Sequence, residues 1–234
     1  FLEYLHRTAT SGQISLDDLH GEIRGNQSDI IDAVVWEMGI DDPTDKEGPR
    51  ERAKECMDFV ALCVPGGRSS MAKLLTQHFP KMLERFNAAL DLSIMKSVQS
   101  PGTWWFTEGS DKDGCHALRS LRNVIVLMKE DMKQFLPVAI STLKQVLERK
   151  ALQSTALSVW SDLVHSVPAT FFGPYLCQMV GHLMDLMDGF AAETVQILEH
   201  LIHSHRRDLR KHFHELPFLP RTDALRRVNR IIDD

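Results

Sequence analysis

The strongest constraint on this chain of 234 residues is that it repeats itself. Phe135-Leu136-Pro137 opens one helical pattern, and Phe172-Gly173-Pro174 opens another 37 residues later. The helix that follows each opening repeats as well. Leu152, Ala156, Val159, Trp160, Leu163, Val164, His165 and Ser166 align, 38 residues on, with Phe190, Thr194, Ile197, Leu198, Leu201, Ile202, His203 and Ser204. Apolar positions spaced by three and four fall on one helix face. A looser third copy precedes these two: it opens at Phe79-Pro80 with Leu83, Phe86 and Leu90, and its partner helix runs through Leu118, Leu121, Val124, Ile125 and Met128. Each copy is a helix pair, and one pair cannot bury its apolar face unless a neighbour stacks against it.

A helix-pair period of about 37 to 40 residues is that of the HEAT and armadillo class. The expected fold class is all-α: a HEAT-like α-solenoid of stacked antiparallel helix pairs, extended and curved. No run alternates apolar and polar residues convincingly, whereas helical spacing recurs from end to end. Ser15 precedes a helix over Leu16 to Arg24, Asn26 or Ser28 precedes one over Ile30 to Met38, and Pro49 opens one over Arg50 to Val64. Gly39 and Pro65-Gly66-Gly67 supply stops. Between the helices of the third copy, residues 97–113 are rich in Gly, Ser and charge and read as an exposed loop, with Trp104, Trp105 and Phe106 able to fold back onto the helices. The domain reading is a HEAT-like helical region over 1–78, a helix plus inserted loop over 79–117, and a C-terminal domain over 118–232.

A hydrophobic content of 43% suffices for a sizeable core, so a folded, soluble protein is expected. The chain starts at Phe1 with a helical pattern already running, and a stacked array cut at either end exposes apolar surface. We therefore expect a piece of a much larger protein. No apolar run approaches the roughly 18 to 20 residues of a membrane span, and no basic-then-apolar leader opens the chain, so neither membrane insertion nor secretion is expected. Cys56, Cys63, Cys115 and Cys177 form no C-x-x-C pair and read as buried free thiols in a reducing compartment. The net charge of −5 hides an asymmetry: residues 1–60 are strongly acidic, whereas residues 205–234 are basic. Such polarity can guide packing against neighbours.

Candidates for chemistry are few. His205-Arg206-Arg207-Asp208-Leu209 superficially resembles the H-R-D-L loop of protein kinases, but it has an extra arginine, lacks the following Asn, and has no D-F-G, Gly-rich loop or V-A-I-K strand around it. Eleven histidines invite a metal, above all Glu199, His200, His203, His205, His212 and His214. The H-E-x-x-H pattern is missing and nothing fixes three or four ligands about one point, so solvated or hydrogen-bonded histidines are expected. There is no G-x-S-x-G nucleophile elbow. Met179, Met184 and Met187, at helical spacing, read as core packing. The basic patch Arg206, Arg207, Arg210 and Lys211 could touch phosphates, yet without aromatic interleaving and within an acidic chain it more simply complements a helix C-terminus.

The stretch Arg207-Asp208-Leu209-Arg210-Lys211-His212-Phe213-His214-Glu215-Leu216-Pro217-Phe218-Leu219-Pro220, following the helix Val195 to His203, resembles the UME domain of ATR-type checkpoint kinases. In that family two helix pairs lead into an R-D segment, a helix ending in an F-L-P turn and a short charged helix, here Asp223 to Ile232. The resemblance covers about residues 118–232, and the upstream part is compatible with the HEAT repeats that precede the domain.

The resemblance implies a helical scaffold segment of a very large phosphatidylinositol-3-kinase-related serine/threonine protein kinase of DNA-damage and replication-stress signalling, in the nucleus. The kinase domain would lie elsewhere in the parent, which would phosphorylate Ser/Thr before Gln using ATP with Mg²⁺ or Mn²⁺. The segment itself would have no catalytic residue, cofactor or metal. Its implied partners are neighbouring HEAT repeats and the kinase region of the parent, an ATRIP-like regulatory subunit, and a second copy of the parent complex. Direct nucleic-acid binding is not expected. Phe213, Leu216, Phe218 and Leu219 are expected to dock the terminal helix by burying apolar surface. The alternatives are a free-standing HEAT-repeat adaptor binding protein or nucleic acid and, weakest, a hydrolase.

Overall fold

A computed structural model describes residues 16–39, 71–98 and 108–212, with Ser11, Glu51, Glu55 and Asp58 as isolated points. Among the described residues every regular element is a helix and none is a strand, which gives the all-α class. None of these helices is long and apolar enough to cross a membrane. The chain divides into two compact units, Phe1–Met128 and Lys129–Asp234.

In the first unit, α1 spans Leu16–Gly25 and α2 spans Gln27–Glu37, with Asn26 at the N-cap position between them. Two long helices follow, α3 over Met71–Val98 and α4 over Glu108–Met128. They pack along one another, and α2 lies against both. The apolar periodicity of each helix decides which face turns inward: Ile30, Ile31 and Val35 of α2, Leu75, Phe79, Met82 and Phe86 of α3, and Leu118, Leu121, Val124 and Ile125 of α4 are all buried. Burial of such side chains contributes about 1.5–3 kcal/mol each. Of the helix expected over Arg50 to Val64, only Glu51, Glu55 and Asp58 are described; they are helical and exposed. Cys56, Cys63 and Pro65-Gly66-Gly67 lie outside the described residues.

Two local expectations change here. Pro80 does not open a helix: α3 begins at Met71 and carries Pro80 inside it. Proline removes one backbone hydrogen bond. Pro80 is exposed, so the carbonyl it leaves can turn to water, while buried Phe79, Met82 and Leu83 on the opposite face hold the helix through it. The stretch 97–113 is helical at both ends, because α3 continues to Val98 and α4 starts at Glu108. Trp104, Trp105 and Phe106 lie outside the described residues. At its far end α4 stops where Lys129 adopts a left-handed φ of 50°, the geometry that ends helices.

The second unit opens with a 3-10 stretch, Lys129–Phe135, and then two helix pairs. The first is α5, Leu136–Leu147, with α6, Gln153–Ser166; the second is α7, Leu176–Asp185, with α8, Ala191–His212. α5 packs on α6, α7 on α8, and α6 on α8. The repeat read from the sequence reappears as burial. Ala156, Val159, Trp160, Leu163 and Val164 are buried on α6, and so are Thr194, Ile197, Leu198, Leu201 and Ile202 on α8. His165 and His203, the next aligned pair, are both exposed. The two openings differ in detail: α5 starts directly after Phe135, whereas Gly173–Tyr175 form a separate 3-10 turn before α7. The residue before a proline avoids the α region, and Gly173 has no side chain to hold it there.

Met179, Met184 and Met187 are buried, as core packing requires. Cys177 corrects the expectation of buried thiols: it is a free thiol and exposed, while Cys115 is half-buried. With Leu176, Met179, Val180 and Leu183 directed inward, the phase of α7 leaves position 177 on the outer face.

Candidate functional site

The last turn of a helix leaves carbonyls that no later residue of that helix can satisfy. In α2 they are met from α4. The Trp36 carbonyl lies 2.7 Å from His116 Nε2 and accepts from the Ser120 hydroxyl at 3.1 Å, and the Met38 carbonyl accepts from Asn123 Nδ2 at 2.8 Å. Gly39 closes the turn, its N–H donating to the Trp36 carbonyl at 3.0 Å. A Cβ at position 39 would meet the His116 carbonyl oxygen at 2.5 Å and the Ser120 hydroxyl closer still, so glycine is a steric requirement of this approach.

The Trp36 ring is the centre of the same seam. The His116 ring lies 4.4 Å from it, and the Arg85 guanidinium of α3 lies 4.7 Å from its centroid. Arg85 also pairs with Asp32. One turn earlier, Lys81 Nζ sits 2.7 Å from Asp29 and donates to the Ser28 hydroxyl at 3.0 Å. Asp29 and Asp32 share a face of α2 and Lys81 and Arg85 share one of α3, so the charge spacing matches the register in which these helices pack. Burial pushes the His116 imidazole below its ordinary pKa, and Arg119 adds to this; the Trp36 carbonyl, Glu37 and Asp113 oppose it. Its Nε2–H is spent on a backbone carbonyl, so this histidine fixes a helix end.

The second unit has its own polar contacts on α8. The rings of His165 and His200 are 4.4 Å apart, and His165 Nδ1 bonds the Ser161 carbonyl at 2.7 Å. Burial, then the proximity of His165 and His203, lowers the pKa of His200. Burial likewise lowers that of His182, helped by Lys144 and opposed by Asp185 and Glu148. His205, 8% exposed, donates Nε2–H to the Ala169 carbonyl, at the point where the backbone of α8 leaves helical geometry (φ −124°, ψ 25°). The stretch superficially similar to a kinase catalytic loop thus begins with a histidine directed inward at a backbone carbonyl. Among the described residues no group of three or more His, Cys, Asp or Glu side chains could hold a metal ion.

The basic patch Arg206, Arg207, Arg210 and Lys211 follows this bend on the last turns of α8, with its side chains outside those described. Phe213, Leu216, Phe218 and Leu219 lie outside the described residues. The seam about Trp36 was not identified from the sequence. Its one advance signal is the matched spacing of Asp29 and Asp32 with Lys81 and Arg85.

Comparison with curated proteins yields no match, and neither does comparison with solved structures. The family model of the UME (NUC010) domain matches residues 107–187, about a third of the chain. That stretch runs from the start of α4 through both helices of the first pair to the end of α7, and stops short of α8 and of Arg207–Pro220. Residues 107–187 are therefore similar to a UME domain, and all the regular elements described within them are helices.

Proposed function

We propose that this chain is a scaffold segment of an ATR-type serine/threonine protein kinase, supporting assembly and regulation of the enzyme while catalysis takes place elsewhere in the parent. The observation that carries the reading is the UME match over 107–187, which takes in α6 and ends just before α8, whose buried positions repeat those of α6 38 residues on. Such recurrence suits a HEAT-like solenoid, in which each pair is completed by its neighbour and strain at one place can bias geometry at another. On this reading the protein works in the nucleus in DNA-damage and replication-stress signalling, and its partners are the flanking repeats and an ATRIP-like regulatory subunit. ATP and Mg²⁺ or Mn²⁺ belong to the parent's kinase domain.

The test is co-precipitation of the regulatory subunit with the full-length parent, comparing wild type with Trp160→Ala. Weaker recovery of the subunit at equal parent abundance supports a scaffold role. Unchanged recovery and unchanged activity in a parent whose segment has demonstrably unfolded would contradict it.

A further inference from the structure

Three histidines gather where α8 bends. His200 stacks its ring on His165 of α6, with centroids 4.4 Å apart and planes at 44°. Five residues on, the backbone at His205 is non-helical, and its buried imidazole donates to the Ala169 carbonyl. Ala169 opens the 3-10 turn that follows Pro168, so the acceptor sits on a short, turn-restrained segment. Both contacts join the C-terminal half of α8 to the end of α6 and the turn after it, and the four cations Arg206, Arg207, Arg210 and Lys211 come next along the helix.

We propose that His165, His200 and His205 form a proton-sensitive clasp that sets the bend of α8 and thereby the direction of its basic last turns. His205 is the latch, since a buried imidazole pulled from its carbonyl leaves two polar groups unpaired. His200 is the trigger. A proton placed on it must sit half-buried against the His165 ring and one turn from His203, the two charges that act on it. The other titratable groups on these elements are Asp162 on α6, Cys177, His182 and Asp185 on α7, and Glu193, Glu199, Asp208 and His212 on α8; the turn Ala169–Phe171 brings none. Because the folded form holds the His200 proton less tightly than the open form, acidification favours an open seam with the ring in water. Opening at His200 draws His205 off Ala169 and frees the bend.

The experiment is hydrogen exchange of the full chain at pH 7.5 and 5.5, corrected for intrinsic rates, with the ring titration of His200 followed by NMR. Protection of amides 203–212 is expected to fall several-fold on acidification, in step with the His200 ring. In His200→Gln the pH response disappears, and in His205→Gln protection is already reduced at pH 7.5. Wild-type protection that does not change with pH, or that falls out of step with His200, overturns the clasp without involving any variant. So does a His205→Gln protein as protected as wild type.

Discussion

Trp160 and Leu198 stand 38 residues apart in sequence and occupy the same buried position on α6 and α8. The indole fills the site in the first pair and an isobutyl group fills it in the second, so the two pairs share a register while differing in side-chain volume. Trp160 is 0% exposed, and its Nε1–H is buried without a hydrogen-bond partner.

Trp160→Ala removes a full aromatic side chain from that core and is expected to cost about 3–5 kcal/mol. Trp160→Phe should cost distinctly less, because losing ring area is offset by losing an unpaired buried donor. Equilibrium urea unfolding of both variants checks this. Equal losses would show that the indole N–H is satisfied in solution.

Thr194, aligned with Ala156, is also fully buried with its hydroxyl unpaired. Thr194→Val keeps the shape and deletes the polar group, so it is expected to stabilise the protein by about 1 kcal/mol. A thermal melt that falls relative to wild type would indicate a partner for the hydroxyl, such as an internal water.

Gly39 lies against the His116 carbonyl and the Ser120 hydroxyl. Gly39→Ala is expected to destabilise by about 1–3 kcal/mol through overpacking against backbone that cannot give way. Combining it with Ser120→Gly should recover only part of the loss, since the His116 carbonyl remains in place. Full recovery would place the whole clash on the serine.

Burial holds the pKa values of His78, His116, His182 and His200 below the ordinary histidine value. A lowered folded-state pKa means that the unfolded chain takes up protons first. Stability is therefore complete above about pH 6.5 and is lost as pH falls through the folded values. Denaturant midpoints measured from pH 7.5 to 5 should fall steadily below about 6.5. Asp29, lowered by its hydrogen bond to Lys81 and by the lysine charge, adds loss only at more acidic pH. A flat midpoint over the histidine range would contradict these burial effects.

The helices and their inward faces were legible because burial follows a 3.6-residue period that the sequence displays openly. Leu16, Asn26 and Gly39 mark boundaries of α1 and α2, and the positions from Ala156 to Val164 align with Thr194 to Ile202 by sequence alone. What escaped was set by context. Pro80 resembles a helix opener locally because the packing of Phe79 and Met82 that carries α3 through it is tertiary. The glycines at 109 and 114 hid the start of α4 at Glu108. Cys177 escaped through a small error of helix phase. The caps on α2 join residues 80 or more apart in sequence, and no local pattern announces that a histidine and a serine of α4 will supply them. The inward turn of His205 depends in the same way on the Ala169 carbonyl arriving opposite it.

Phosphotransfer is the most direct measurement of the central claim. It calls for the full-length parent and residues 1–234 alone, each assayed with ATP, Mg²⁺ or Mn²⁺ and a peptide carrying Ser/Thr before Gln. A scaffold segment of an ATR-type kinase requires activity in the parent and none in the segment. A parent that transfers no phosphate, or a segment that does so by itself, would contradict it.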